Sequence, residues 1–246
     1  MHVVSAQAEI RHTRFPHLLR AIIFDFDGVI VDSEPLIMRL TQEMAALEGW
    51  TLAPENYYRD YLALDDRGIV ERLYRTHGMA VNPRRRAELL AWKASAYREA
   101  IRGGGVQPIA GAAEFVKRCA LRYLLAIASG SLREEVETLL ARLGLREKFS
   151  VLATAEDCER SKPDRAIYDT AFMRLQALDG AGTRPLERSE CLAIEDAPAG
   201  IEAAHAAGLR CMALAHSRPA EELREAECVF SGFSETRLED LQKAWG

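Results

Sequence analysis

Short apolar runs alternate with amphipathic stretches along most of the chain. The first run, Ala21–Phe24, consists of small, β-branched and aromatic residues and is followed by two acids and a glycine. Four later runs are also short and apolar: Leu124–Ala128, Ser150–Ala153, Cys191–Ile194 and Cys211–Leu214. Runs of this length without polar alternation predict strands that are buried on both faces, as in a parallel sheet.

Helical patterns fill the intervals between these runs. Apolar residues recur at helical spacing in Ala112–Leu121, Arg133–Leu143, Arg165–Leu178 and Ala199–Ala207. Strands that alternate with helices predict an α/β protein with a three-layer, Rossmann-like core, in which a parallel sheet lies between helices. Right-handed crossovers then bring the carboxyl ends of the strands to one edge, where ligands of such sheets bind.

One segment interrupts the alternation. Between about residues 35 and 102 the sequence offers only helical patterns, and Gly103–Pro108 then provides a flexible, turn-forming return to the sheet. We therefore predict an N-terminal extension at 1–19, an α/β core domain formed by 20–34 and 106–246, and an inserted α-helical cap domain at 35–105.

Composition limits the partners of the protein. Of 246 residues, 48% are apolar and 28% are charged, which is typical of a soluble globular protein. A formal charge of -5 argues against nucleic acid as a partner, and no apolar stretch reaches the roughly 18 residues of a membrane helix. The five cysteines are odd in number and show no C-x-x-C spacing, which favours a reducing, cytoplasmic location. We expect a monomer or a weak homodimer.

Candidate chemistry begins where the first strand ends. Asp25 and Asp27 are two positions apart, so their side chains point to one face if the strand continues regularly. Two carboxylates so close repel each other unless a hard cation such as Mg²⁺ binds between them. Gly28 permits a sharp turn at this point. The alternative interpretation is a loop start with a helix cap.

Other strand ends carry groups that suit the same site. Ser129 and Gly130 follow the second run and offer a hydroxyl and backbone N–H groups to an anion. Lys162 follows the third run, and Glu195 and Asp196 follow the fourth. Each of these has a simpler interpretation by itself, as a helix cap or a surface lysine. Together, at one edge of a sheet, they predict a metal and phosphate site.

In this order and at these strand ends, the residues resemble the four motifs of the haloacid dehalogenase superfamily: D-x-D, a serine or threonine, a lysine, and an acidic pair. The stretch from Asp25 to Glu34 and the helix Ala197–Gly208 are similar to the subfamily that contains β-phosphoglucomutase and phosphoglycolate phosphatase. In that subfamily a helical cap lies between the first and second motifs, which agrees with the interruption at about 35–102.

The resemblance implies roles for three residues that act on the reacting atoms. Asp25 would be the nucleophile and a Mg²⁺ ligand. Asp27 would be the general acid and base and would also give its backbone carbonyl to the metal. Lys162 would neutralise charge on the nucleophile and the phosphate. Catalysis would then rest on in-line positioning and charge compensation.

The resemblance also implies roles for the remaining groups of the core. Ser129 and the N–H of Gly130 would hold phosphate oxygens. Asp196 would be the third protein ligand of Mg²⁺, and Glu195 would support the metal without binding it directly.

Two positions in the helical segment match substrate-binding positions of the subfamily. Arg67 lies in a stretch similar to the cap substrate loop, although Ala63 or Leu64 stands where β-phosphoglucomutase has glycine. Lys93 matches a recurring cap lysine. The alternative for both is a basic residue on a helix surface.

Departures from related enzymes narrow the reaction. Dehalogenases lack the second aspartate, so Asp27 favours phosphate esters. Ile37 stands where β-phosphoglucomutase has a cap-closure histidine, which favours hydrolysis. We therefore predict a Mg²⁺-dependent phosphomonoesterase that acts on a small phosphorylated metabolite through an aspartyl phosphate. The alternatives are a sugar-phosphate mutase similar to β-phosphoglucomutase and an inactive, phosphate-binding regulatory module.

Overall fold

A computed structural model describes residues 19–62, 64–179, 184–234, 236 and 241. The predicted extension at 1–19 therefore lies outside the described residues, except for Leu19, which is buried. The chain divides into two compact units. One comprises the described residues of Met1–Asp32 and Pro108–Gly246, and the other is Ser33–Gln107.

A parallel sheet forms the centre of the first unit. The strands of the described residues are β1 (Ala21–Phe24), β2 (Val31–Asp32), β3 (Gln107–Pro108), β4 (Leu124–Ala128), β5 (Val151–Ala153), β6 (Cys191–Glu195), β7 (Arg210–Leu214) and β8 (Cys228–Phe230). Six of them form one sheet in the order β5-β4-β1-β6-β7-β8, and all neighbouring strands are parallel.

The strand β1 is buried because it has a neighbour on each side. Ala21 lies opposite both Leu124 and Cys191 in the register of the sheet. All four residues of β1 are fully buried. A strand in this position needs apolar side chains on both faces, which explains why its sequence shows no polar alternation.

Eight α-helices occur in the part of the chain that the structure describes. They are α1 (Glu34–Leu47), α2 (Pro54–Asp60), α3 (Asp66–Thr76), α4 (Pro83–Arg102), α5 (Ala112–Cys119), α6 (Arg133–Arg142), α7 (Ala166–Asp179) and α8 (Pro198–Ala206). Among the described helices, none is both long and apolar enough to cross a membrane.

Helices cover both faces of the sheet. On one face, Ile23 of β1 belongs to an apolar cluster with Tyr168 of α7 and Ala203 of α8. On the other face, the ring of Phe24 meets that of Phe115 in α5 edge to face, with centroids 6.3 Å apart. This arrangement confirms the predicted three-layer, Rossmann-like core.

The second unit, called the helical unit below, consists of α1 to α4 and has its own apolar cluster. Its fully or largely buried members include Met44, Tyr57, Ile69, Leu73 and Leu89. Such a cluster is expected where several amphipathic helices pack together without a sheet.

Four short elements were missed by the sequence patterns. The helix α2 has seven residues, of which only Tyr57 is buried, and β8 has three residues, all partly buried. The strands β2 and β3 have two residues each. None of the four is long enough to show a helical or strand period. The sequence therefore predicted the longer elements and not these short ones.

Candidate active site

The carboxyl ends of three adjacent strands bring the predicted core groups together. Asp25 directly follows β1, Ser129 directly follows β4, and Glu195 ends β6 with Asp196 next to it. Because β1 lies between β4 and β6, these residues share one edge of the sheet.

An ammonium group joins two of the acids. Lys162, in the loop between β5 and α7, donates from Nζ to Asp25 Oδ1 and to Glu195 Oε1, at 2.6 Å in each case. Burial alone would lower the pKa of Lys162. The two carboxylates outweigh burial and raise this pKa, so the side chain stays protonated.

Tyr168 is a further partner of Glu195, which the sequence analysis missed. Its hydroxyl donates to Glu195 Oε1 at 2.6 Å, and its ring centroid lies 5.1 Å from Lys162 Nζ. The side chain is fully buried on α7 and resembles an ordinary core residue in the sequence. The signal available was the choice of Tyr over Phe, because a buried phenol needs a hydrogen-bond partner.

Gly200, in the first turn of α8, leaves the space that Glu195 occupies. A Cβ at this position would lie 2.0 Å from the carboxyl carbon of Glu195 and 2.1 Å from both its oxygens. The backbone N–H of Asp196 also donates to Glu195 Oε2, at 3.3 Å. Glu195 is therefore confined to one position by its neighbours.

Asp196 is held from two sides. Ser217, in the loop after β7, donates from Oγ to Asp196 Oδ2 at 2.7 Å. A Cβ at Gly28 would lie 2.0 Å from the same oxygen, and Gly28 has a φ of 78°, in the left-handed region. Both the backbone conformation and the space therefore require glycine there. Ser217 was not predicted, although it follows one of the predicted strands.

The acids outnumber the cations at this edge of the sheet. Asp25, Glu195 and Asp196 each offer an oxygen within 4.8 Å of the others. The pKa of Asp25 is raised, and the pKa of Asp196 is raised to about 7. Burial is the largest cause of both shifts and the charge of Glu195 is the second, whereas the charge of Lys162 lowers both pKa values. Three carboxylates and one ammonium leave two formal negative charges. This donor set fits Mg²⁺, which binds carboxylate oxygens.

The loop after β4 is bonded to the second acid of the D-x-D motif. Ser131 donates from Oγ to Asp27 Oδ2 at 2.6 Å, and its backbone N–H donates to Ser129 Oγ at 2.9 Å. Ser129 is fully buried. Gly130 is exposed, and apart from its two chain neighbours no described residue has an atom within 4 Å of the place where its Cβ would be. The Gly130 backbone is thus accessible to an anion.

Two carboxylates already occupy the first N–H groups near the start of α6. Leu132 donates to Glu135 Oε2 at 3.1 Å, and Arg133 donates to both oxygens of Glu156 at 3.1 Å. Because these two N–H groups already have partners, fewer N–H groups of this loop can bind an anion than the sequence suggested. A phosphate-binding role for Ser129 and the N–H of Gly130 stays a prediction.

The two basic residues predicted to bind substrate both lie in the helical unit. Lys93 is only 3% exposed and forms an ion pair with Asp66. Arg67 is exposed in the first turn of α3. Ile37 is partly buried against the apolar cluster of the unit, and Ala63 lies outside the described residues. A substrate role for Arg67 and Lys93 stays a prediction.

The fold and the site define an α/β enzyme that gathers three carboxylates and a lysine at one edge of a parallel sheet. The family model of haloacid dehalogenase-like hydrolases matches residues 22–214. The chain therefore belongs to this family, which confirms the resemblance of its motifs.

Relatives extend over most of the chain. Protein CbbY of Rhodobacter capsulatus is 32% identical over 201 residues, which cover 78% of this chain and 83% of the relative. Hexitol phosphatase B of Escherichia coli K12 is 29% identical over 234 residues, which cover 92% and 98%. The crystal structure of CbbY from Rhodobacter sphaeroides in complex with phosphate matches with a TM-score of 0.74 and 25% identity, over 89% of this chain and 96% of that one. The enzyme is accordingly a haloacid dehalogenase-like phosphatase.

Proposed function

We propose that the protein is a Mg²⁺-dependent phosphomonoesterase for a small phosphorylated sugar or polyol and works through an aspartyl phosphate at Asp25. The observation that carries this proposal is the buried cluster of Asp25, Lys162, Glu195 and Asp196. It combines a carboxylate nucleophile, the cation that neutralises it, and an excess of negative charge that a metal would balance.

In the first step of this reaction, Asp25 attacks phosphorus. Lys162 donates to Asp25 Oδ1 and so neutralises charge on this carboxylate, one oxygen of which forms the new bond to phosphorus. The bond between phosphorus and the ester oxygen breaks, and its electron pair stays on that oxygen. The Asp27 carboxyl gives this oxygen a proton, so that a neutral alcohol leaves.

In the second step, water hydrolyses the aspartyl phosphate. The water oxygen bonds to phosphorus while Asp27, now a carboxylate, takes the proton. The bond between phosphorus and Asp25 breaks with its electron pair on Asp25, which releases inorganic phosphate and restores both acids. Lys162, Ser129 and the Gly130 N–H would compensate charge on the phosphoryl oxygens in both steps.

The carboxylates of Asp25 and Asp196, with the backbone carbonyl of Asp27, would hold Mg²⁺. Glu195 would support the site indirectly, since one of its oxygens already accepts from Lys162 and Tyr168. When bound, Mg²⁺ supplies positive charge that offsets the charges of the acids and of the phosphate.

The names of the relatives support a sugar-like alcohol as the leaving group. One relative is a hexitol phosphatase, and one solved relative contains phosphate. We further propose that the helical unit is the cap implied by the family resemblance and that Arg67 contacts the substrate. Lys93 is the weaker candidate, because its charge is already paired with Asp66.

Release of inorganic phosphate tests this function. The substrates are p-nitrophenyl phosphate and a panel of hexitol and pentose phosphates, with Mg²⁺ added or removed by a chelator. We expect turnover only with Mg²⁺ and a loss of at least about a thousand-fold in kcat in Asp25→Asn. Asp60→Asn, which alters an aspartate paired with Arg59 on the surface, is the matched control and should keep wild-type kcat.

The two alternatives give different products. With β-glucose 1-phosphate and a trace of the corresponding bisphosphate, free phosphate indicates a phosphatase and glucose 6-phosphate indicates a mutase. Phosphate binding without turnover of any substrate in the panel would instead indicate the regulatory module.

A further inference from the structure

Ser131 has no role in the reaction as written above, yet its hydroxyl contacts the acid that the reaction depends on. Its Oγ donates to Asp27 Oδ2 at 2.6 Å. The backbone of Ser131 is anchored on both sides, because its N–H donates to Ser129 Oγ at 2.9 Å and its carbonyl accepts from Ala155 N at 3.1 Å. The hydroxyl therefore projects from a backbone fixed to the ends of β4 and β5.

A donor at one carboxyl oxygen decides which oxygen carries the proton. A protonated carboxyl group has one O–H and one oxygen that only accepts. The carbonyl oxygen of a neutral carboxyl group accepts more strongly than its hydroxyl oxygen, so the donor Ser131 at Asp27 Oδ2 favours the proton on Oδ1. A proton on Oδ2 would be donated to Ser131 and withheld from the ester oxygen.

We propose that Ser131 is a positioning residue for the proton transfer that releases the alcohol. It keeps Asp27 Oδ2 as an acceptor, so that Oδ1 gives its proton to the departing oxygen as the bond to phosphorus breaks. The same hydrogen bond then stabilises the carboxylate that remains. This inference rests on the function proposed above and adds to it the atom from which the proton leaves.

The proposal predicts that the effect of losing the Ser131 hydroxyl on the rate depends on the leaving group. A leaving group that is stable as an anion needs little protonation as it departs, whereas a basic alkoxide must receive a full proton. The pair of p-nitrophenyl phosphate and benzyl phosphate separates these cases, because both are aromatic monoesters of similar size without sugar hydroxyls. In Ser131→Ala we expect kcat/KM for benzyl phosphate to fall by about 10- to 100-fold. For p-nitrophenyl phosphate we expect a fall of no more than about threefold.

Two further variants separate the hydroxyl from the shape of the side chain. Ser131→Thr keeps the donor, and Ser131→Val is close in shape to threonine without it. The threonine variant should keep the wild-type ratio of the two substrates, and the valine variant should show the ratio of Ser131→Ala. Ser150→Ala, which removes an exposed serine from the same unit, should change neither substrate.

Equal losses for both substrates in the alanine and valine variants would show that Ser131 only maintains the loop, and would overturn the proposal. Wild-type protein that releases phosphate neither from these two substrates nor from the panel of hexitol and pentose phosphates would refute the phosphatase function itself. Thermal unfolding of each variant identifies any that does not fold, and the threonine and valine pair then decides the question.

Discussion

At the residue scale, two carboxylates of the site fit among their neighbours only because two glycines lack a Cβ atom. A Cβ at Gly28 would meet Asp196, and a Cβ at Gly200 would meet Glu195, each at 2.0 Å. The sequence suggested a turn at Gly28, but it contained no sign that the missing side chain makes room for an acid 168 positions away. At this scale, tertiary contacts decide why glycine is required.

A comparison with Gly49 separates the effect of the space at Gly28 from the effect of its backbone conformation. Gly49 has the same φ of 78°, and apart from its two chain neighbours no described residue has an atom within 4 Å of its Cβ position. Alanine at either place should cost roughly 1–2 kcal/mol for the left-handed conformation. Only Gly28→Ala should also displace Asp196 and raise the half-saturating Mg²⁺ concentration, by at least about tenfold. Urea unfolding and Mg²⁺ titration of kcat measure the two effects. The same Mg²⁺ dependence in both variants would contradict the assignment.

The hydroxyl of Tyr168 can be removed without its ring. Tyr168→Phe keeps the aromatic face near Lys162 but leaves Glu195 without one donor. We expect the free energy of unfolding to fall by about 1.5–3 kcal/mol, because the lost hydrogen bond is to a charged group, and kcat to fall several-fold. Tyr61→Phe is the control, since that hydroxyl has a partner at 3.4 Å in the helical unit and should not affect kcat. Unchanged stability and kcat in Tyr168→Phe would contradict a supporting role of the Tyr168 hydroxyl for Glu195.

At the scale of elements, Asp157 anchors the loop that carries Lys162. It accepts from Arg174 of α7 at 2.6 Å, from Arg133 of α6 at 2.7 Å, and from the N–H of Thr154 at 2.9 Å. These bonds join two helices to the turn after β5, and Asp157 itself lies five positions before Lys162. The hydrogen bond from Arg174 is the largest cause that lowers the pKa of Asp157.

This anchor predicts a pH-dependent effect of Asp157→Asn. The pKa of Asp157 in the folded chain lies below its unfolded value of about 3.9, so ionisation stabilises the fold above that pH. The contribution is lost as the pH falls towards the folded pKa. We expect the variant to lose about 2–3 kcal/mol at pH 7. Urea unfolding should show a constant difference down to about pH 5 and a smaller one below about pH 4.

The surface pair of Arg59 and Asp60 provides the control for this prediction. Asp60→Asn removes an exposed ion pair and should leave the free energy of unfolding nearly unchanged at every pH. A difference for Asp157→Asn that stayed the same at every pH would show that packing, not charge, holds the loop.

At the scale of the whole molecule, we expect the unbalanced acids to couple Mg²⁺ binding to stability. Asp196→Asn removes one of the repelling charges and keeps an oxygen that accepts from Ser217. Without Mg²⁺ we expect its Tm to rise by about 2–4 °C. In wild-type protein, saturating Mg²⁺ should raise Tm, whereas Asp196→Asn should lose most of this response, because ligand binding stabilises only the form that binds.

Calorimetry with and without a chelator measures both shifts. Glu147→Gln, which alters an exposed acid of the same unit, should keep the wild-type response to Mg²⁺. An equal response to Mg²⁺ in Asp196→Asn would place the metal elsewhere.

The sequence by itself determined the parallel sheet, the main helices and the strand ends that carry the proposed site. It could do so because buried strands and amphipathic helices have local periods, and because parallel strands end at one edge. Only the tertiary structure decided which side chains share which oxygen. Lys162 bonds to Asp25 across 137 positions, and Ser131 bonds to Asp27 across 104. Such partners are brought together by packing between distant elements and leave no local pattern in the sequence. Tyr168 is an example, because the hydrogen bond from its hydroxyl to Glu195 exists only in the folded chain.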